Sequence, residues 1–302
     1  MPQTYNVEKD FSNTRLDRWF KLKIKNLPQS LIEKIIRLNK IKVNKKRQKS
    51  SYRLQEGDIV EIHNISNFKP RSSNKILKYK PSQKELSNYN KIILENNENF
   101  IVINKPAGVA VQSGTRSLKN IIDILKESKY FNDQKPYIVH RLDKETSGVL
   151  IIAKNRSYAQ LFTSLFRIRK IHKTYLALTF GKIQKAKNTL KDNLIYYEGK
   201  KKITQKAVTH YKVLKNSEKY SFVELNPITG RKHQLRRQLY NIGNPIIGDN
   251  KYYFSTNRKN RDIKKKSLML HAYKIKFMIN NVQYNFKASY SNLFEEFIKK
   301  NF

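Results

Sequence analysis

From Lys91 onward the chain is laid out as short apolar runs divided by turn residues, and this texture restricts the fold more than any other feature. Lys91-Ile92-Ile93-Leu94-Glu95 and Phe100-Ile101-Val102-Ile103-Asn104 flank Asn96-Asn97-Glu98-Asn99, the pattern of a hairpin. Further strands are expected at residues 149–153, 175–180, 207–214, 221–225, 268–277 and 282–288. Helices are expected at residues 117–125, 159–166, 232–242 and 292–299. Strands outnumber helices, and hairpins outnumber strand–helix–strand crossovers. The expected class is α+β, with a mixed, mainly antiparallel central sheet and peripheral helices.

Residues 1–62 read as a separate, small α/β unit. Thr14 is placed to cap a helix in which Leu16, Trp19 and Phe20 share one face. A second helix follows Pro28 and Ser30, with Leu31, Ile32, Ile35, Ile36 and Leu38 as its apolar side. Strand-like Ile41-Lys42-Val43-Asn44 and Asp58-Ile59-Val60-Glu61-Ile62 complete the unit. Residues 63–90 lack periodicity and contain Pro70, Pro81 and Ser72-Ser73-Asn74, which reads as a basic linker to residues 91–302.

Charge narrows the partner. Sixty-three Lys and Arg against 23 Asp and Glu give a net charge of +40. Residues 1–62 carry +8, residues 63–90 carry +5 and residues 91–302 carry +27, so the basicity is not confined to one tail. A composition rich in Lys, Asn and Ile can arise from an AT-rich genome, but this charge density points to a polyanion, RNA or DNA. The absence of cysteine excludes disulfides, thiolate zinc sites and cysteine nucleophiles. The six His are scattered without metal-ligand spacing, and neither a Walker loop nor GxGxxG occurs, so no metal and no cofactor is expected. No run approaches the ~18 apolar residues of a membrane helix. The N-terminus lacks an apolar secretion signal, and a cytoplasmic monomer with no membrane partner is expected.

The stretch His140-Arg141-Leu142-Asp143-Lys144-Glu145-Thr146-Ser147-Gly148 is a polar loop running into a strand. Asp143 lies between Arg141 and Lys144, which favours an ionised carboxylate. On spacing alone, an Asp beside an Arg reads as a surface ion pair worth little. The whole string, however, resembles the signature loop of the RluA-like pseudouridine synthases, His-Arg-Leu-Asp-x-x-Thr-Ser-Gly. Lys173-Thr174-Tyr175-Leu176-Ala177-Leu178 resembles the second motif of that family. Thr229-Gly230-Arg231-Lys232-His233-Gln234-Leu235-Arg236 resembles its third, continuing into Gly243-Asn244-Pro245-Ile246-Ile247-Gly248-Asp249. Leu270-His271-Ala272 resembles its late strand, and Asn104-Lys105-Pro106-Ala107-Gly108 its loop after the first hairpin. The first unit resembles an S4 RNA-binding domain, from its Arg-Leu-Asp start at Arg15 to Gly57-Asp58. Asn39-Lys40 replaces that domain's usual Gly, a place where Asn tolerates φ > 0.

The resemblance implies the pseudouridine synthase fold and an isomerase that breaks the uridine N1–C1′ bond, turns the uracil and rejoins it through C5. It implies Asp143 as the carboxylate at the ribose, either attacking C1′ or taking the C2′ proton, with Arg236 as its charge partner. Tyr175 would pack on the uracil and assist proton removal from C5, although a strand tyrosine is more often just core. The target nucleotide must be flipped from its stack, with Arg141 entering the gap. RNA contacts are further expected from His140, Arg231 and His233, and from Arg15, Arg18, Lys34, Arg37, Lys40, Lys42 and Lys45 in the S4-like unit. Arg237, Gln238 and Asn244 depart from the family pattern and are expected to alter RNA contacts. Residues 104–114 resemble the RluC type, which modifies uridines of 23S rRNA. A tRNA or RluD-type specificity, or a noncatalytic role in RNA binding or ribosome assembly, stands as the alternative.

Overall fold

The computed structural model describes residues 2–25, 27–65, 68, 79–113, 119–131, 135–198, 201–253 and 267–302. The chain divides into two units, Met1–Leu77 and Lys78–Phe302. Pro70 and Ser72-Ser73-Asn74 of the expected linker, the first two residues of the helix expected at 117–125, and Gly114 lie outside the described residues.

In the first unit, β1 (Gln3–Asn6), α1 (Leu16–Lys23), α2 (Gln29–Arg37), β2 (Ile41–Val43), β3 (Lys46–Arg47) and β4 (Ile59–Ile62) follow in order. The strands form an antiparallel sheet in the order β1-β4-β2-β3. Leu16, Trp19 and Phe20 of α1 and Ile32, Ile35 and Ile36 of α2 are buried in one core with Ile41, Val43, Val60 and Ile62. Thr14 is not the cap of α1. Arg15 occupies the N-cap without a side-chain cap bond, and its guanidinium holds the buried Asp17 at 2.7 and 3.1 Å. Asn39 takes φ 58°, and Asn44 and Lys45 take φ 50° and 63°, the paired positive angles of a two-residue hairpin turn between β2 and β3.

The second unit opens with α3 (Gln83–Asn90), inside the stretch expected to be linker. Ser82 and Glu85 form a reciprocal capping box, which starts a helix whose only buried residue is Tyr89. With no apolar stripe, periodicity could not reveal it. Then come β5 (Ile93–Asn96), β6 (Phe100–Lys105), α4 (Ile121–Lys126), β7 (Tyr137–Ile138), β8 (Ser147–Ala153), α5 (Arg156–Arg167), β9 (His172–Phe180), β10 (Lys187–Glu198), β11 (Lys201–Asn216), β12 (Tyr220–Pro227), α6 (Gln234–Asn241), β13 (Leu270–Ile279), β14 (Val282–Lys287) and α7 (Asn292–Asn301).

The sheet runs β10-β11-β12-β9-β13-β8-β6-β5, with β14 on β13 and β7 on β8. Among the described strand pairs only β13–β8 is parallel, through His271 and Ala272 against Ser147 and Gly148. The mixed, mainly antiparallel sheet matches the expected class. Strands β6 and β8 are interior strands of the sheet and are buried on both faces. Ile101, Ile103, Leu150 and Ile152 pack in a core with α4, while Phe100, Val102, Val149 and Ile151 pack with Phe162 of α5. Two-sided burial is why both strands read as unbroken apolar runs. Strand β10 lies outside the expected strands: in its sequence KNTLKDNLIYYE, Leu190 and Leu194 are the buried residues among those described from 187 to 197, and pairing with β11 holds the strand. Among the described residues no helix is long and apolar enough to cross a membrane.

Candidate active site

The loop between β7 and β8 carries Asp143, and it is pinned from three sides. His140 accepts the Ile151 backbone N–H on Nε2 at 2.8 Å and packs its ring on Phe166 at 4.7 Å. Burial, and secondarily the Lys173 cation, push His140 down to about 3, so the ring is neutral. His140 lines the cavity with Nε2 engaged on β8, which leaves only Nδ1 for the RNA contact expected of it. The wholly buried Lys105 donates to the carbonyls of Pro106, Val109 and Lys144 at 2.8, 2.9 and 3.1 Å. Burial lowers its ammonium to about 7, against the opposing pull of Glu145 and Asp143. The third pin is Gly148, with φ +111°. A Cβ there would lie 2.2 Å from the Ala272 carbonyl oxygen, so only glycine lets β8 meet β13.

Helix α6 approaches Asp143 from the other side. His233 is its N-cap, in the left-handed region at φ 53°, and its Nε2 lies 3.7 Å from Asp143 Oδ1. Burial, partly offset by Asp143, lowers the His233 pKa, which favours the neutral imidazole. Arg236 Nη1 lies 3.9 Å from Asp143 Oδ2. Its main partner is a different carboxylate. Nε and Nη2 of Arg236 donate to Asp249 at 2.7 and 2.6 Å, a buried fork of the kind Arg forms with carboxylates. Asp249 also accepts the backbone N–H groups of Lys251 and Tyr252, at 2.9 and 3.0 Å. The Tyr252 ring lies 5.3 Å from the guanidinium. Burial works against the Arg236 charge, but Asp249 outweighs it and raises the pKa above the usual arginine value. Arg236 thus stands beside Asp143 as expected, and the structure adds Asp249 as the carboxylate its fork holds, leaving the outer edge of the guanidinium to face Asp143.

Tyr175 of β9 lines the same cavity, of about 920 Å³, with the Asp143 loop and residues 227–236. Burial, reinforced by the Asp143 charge, raises its phenol above the ordinary tyrosine value. The protonated phenol faces the cavity, and in that state it donates a proton and does not accept one. Arg141, Lys144, Arg167, Arg169 and Lys232 line the cavity as exposed cations, and Arg231 joins them half-buried, its Nε donating to the Lys206 carbonyl at 3.3 Å.

Two of the departures are not RNA contacts. Gln238 is fully buried, accepting the Thr209 hydroxyl at 2.6 Å and donating to Asp192 at 2.8 Å, so it ties α6 to β10 and β11. Asn244 is buried and donates to the Phe180 carbonyl at 2.9 Å. Arg237 packs on Tyr196 and donates to the Ile195 carbonyl. In the first unit, Arg18, Lys34, Arg37 and Lys45 are exposed and Lys40 and Lys42 half-buried, whereas Arg15 is engaged by Asp17. Asp249, Lys105 and Lys173 lay inside quoted motifs, but nothing in their spacing assigned them a role.

The RNA pseudouridylate synthase family profile matches residues 99–241, which hold Asp143, Tyr175, His233 and Arg236. The ribosomal large subunit pseudouridine synthase C of Rickettsia bellii is 39% identical over 254 residues, covering 79% of this chain and 82% of the relative. The protein of that name from Buchnera aphidicola subsp. Baizongia pistaciae is 34% identical over 289 residues, covering 90% and 88%. Among solved structures, human RNA pseudouridylate synthase domain containing 4 superposes with a TM-score of 0.61 at 26% identity, over 71% of this chain and 94% of that one. With likeness this extensive in sequence and architecture, and with the matched segment supplying all of the cavity lining but Leu270, the chain belongs to the RNA pseudouridine synthase family, isomerases that act on RNA.

Proposed function

We propose that this pseudouridine synthase acts on uridines of large-subunit ribosomal RNA, with Asp143 as the carboxylate that works on the ribose. The observation that carries the site assignment is a carboxylate half-open to a cavity, faced by Arg236 and His233 and rimmed by exposed cations. Phosphates flanking a flipped nucleotide meet the rim, while the base enters between Tyr175 and the Asp143 loop. Arg141, exposed on that loop, is placed to occupy the gap the base leaves. Substrate class follows the relatives, whose names place them on the large ribosomal subunit. The first unit, with Lys34 and Arg37 one turn apart on α2 and Lys42 opposite Arg47 across β2–β3, serves as an S4-like RNA-binding module. The enzyme works as a cytoplasmic monomer on this reading. Pseudouridine mapping of total RNA from cells with and without the protein tests it. Loss of defined sites in large-subunit RNA is expected; sites lost from tRNA instead would overturn the substrate assignment.

A further inference from the structure

Lys173 stands two residues before Tyr175 on β9, so both side chains leave the same face of the strand, and both line the cavity. It is half-buried, and burial lowers its ammonium pKa. Among the described residues it has neither a hydrogen-bond acceptor nor an ion-pair partner. Its surroundings do not compensate the charge: His140 and Tyr175 are neutral, Lys274 has the same sign, and the Cβ position of Gly230 lies 3.9 Å from Nζ. An unpaired cation in such a place costs stability and serves packing no better than an apolar side chain would. The rim cations Arg141, Lys144, Arg167, Arg169 and Lys232 are exposed, where phosphates remain solvated; Lys173 is more enclosed, beside the ring of Tyr175.

We propose that Lys173 donates a hydrogen bond to a carbonyl oxygen of the target uracil and stabilises the negative charge the base gains as its bond to ribose breaks. The inference rests on reading this cavity as the active site. When N1–C1′ breaks, the bonding pair leaves with the uracil and spreads over N1 and the carbonyl oxygens. C5 then forms the new bond to C1′, the proton on C5 is released, and N1 takes one up, so the isomerisation balances. Lys173 keeps its own proton throughout. Either route at the ribose, attack on C1′ or removal of the C2′ proton, expels the base with this charge.

The test is single-turnover kinetics of the full-length chain on substrate RNA carrying uridine or 5-fluorouridine at the target, read on both as loss of the N1-linked nucleoside, because C5 of the fluorinated ring has no proton to release. Fluorine makes the ring more acidic and the base a better leaving anion. Lys173→Met should lower the uridine rate about 10²–10³-fold, the cost of removing one donor aimed at developing charge, with RNA affinity changed only a few-fold. The deficit should shrink on the fluorinated RNA, and Lys173→Arg should keep more of the rate than Lys173→Met. Equal deficits on both RNAs, or weaker binding with an unchanged saturating rate, would overturn the proposal and make Lys173 a scaffold or phosphate contact. Asp143→Asn run alongside separates the two levels: if that variant turns over, the assignment of the cavity itself fails.

Discussion

Asp143 and Arg236 were legible in the sequence only as members of motifs, and the second carboxylate that holds Arg236 was not legible at all. The fork of Arg236 closes on Asp249, thirteen residues on and across a turn, and no spacing rule links the two. This pairing has opposite consequences for the two carboxylates. Since Arg236 is already neutralised, Asp143→Asn strands no buried cation, and the variant should melt where the parent does. Its isomerisation should nevertheless fall by about 10²–10⁴-fold or more, with RNA binding retained, because an amide neither attacks nor accepts the proton. Tritium release from C5-labelled RNA in single turnover reads the loss; substantial residual turnover would remove Asp143 from the chemistry. Asp249→Asn should instead destabilise the chain by about 3–5 kcal/mol, the cost of breaking a buried pair from one side. Adding Arg236→Met to it should recover much of the urea midpoint but not the activity. His140 shows what a motif leaves out at this scale: nothing in its place beside Arg141 indicates that its Nε2 holds the Ile151 N–H of β8.

Elements with an apolar stripe or a doubly buried run were readable, and those without were not. Strands β6 and β8 are continuous apolar stretches, and the amphipathic α5 and α7 were placed close to their observed limits. Helix α3 rests on a capping box and one buried tyrosine, while β10 rests on its partner strand, so neither leaves a periodic mark. The junction of β8 with β13 depends on a single position. Gly148→Ala would drive a methyl into the Ala272 backbone at a φ that L-residues avoid. Strain and overpacking together should cost about 2–6 kcal/mol, seen as a lower denaturation midpoint. If the variant folds, it should lose turnover more than RNA affinity, since Asp143 hangs from this end of β8. An unchanged midpoint would show that β13 yields at this junction.

For the molecule as a whole, the charge division predicts how binding responds to salt. Residues 1–62 hold +8 of the +40. Removing them should leave some RNA phosphates without a cation and flatten the slope of log affinity against log salt by roughly 0.7–0.9 for each phosphate no longer neutralised. Turnover at saturating RNA should persist, because every group around the cavity belongs to the second unit. Full affinity with an unchanged slope would show that the first unit does not touch this RNA. The two-sided burial of β6 and β8 has its own consequence for how the second unit comes apart. Amide hydrogens at 101–103 and 150–152 should exchange with deuterium only when the whole unit opens, whereas those of the β10–β11 hairpin, packed through few apolar side chains, should exchange through smaller, cheaper openings. The end of β8 beside Asp143 is therefore tied to the last part of the unit to let go, and this carboxylate keeps its place through fluctuations that have already released the outlying hairpin.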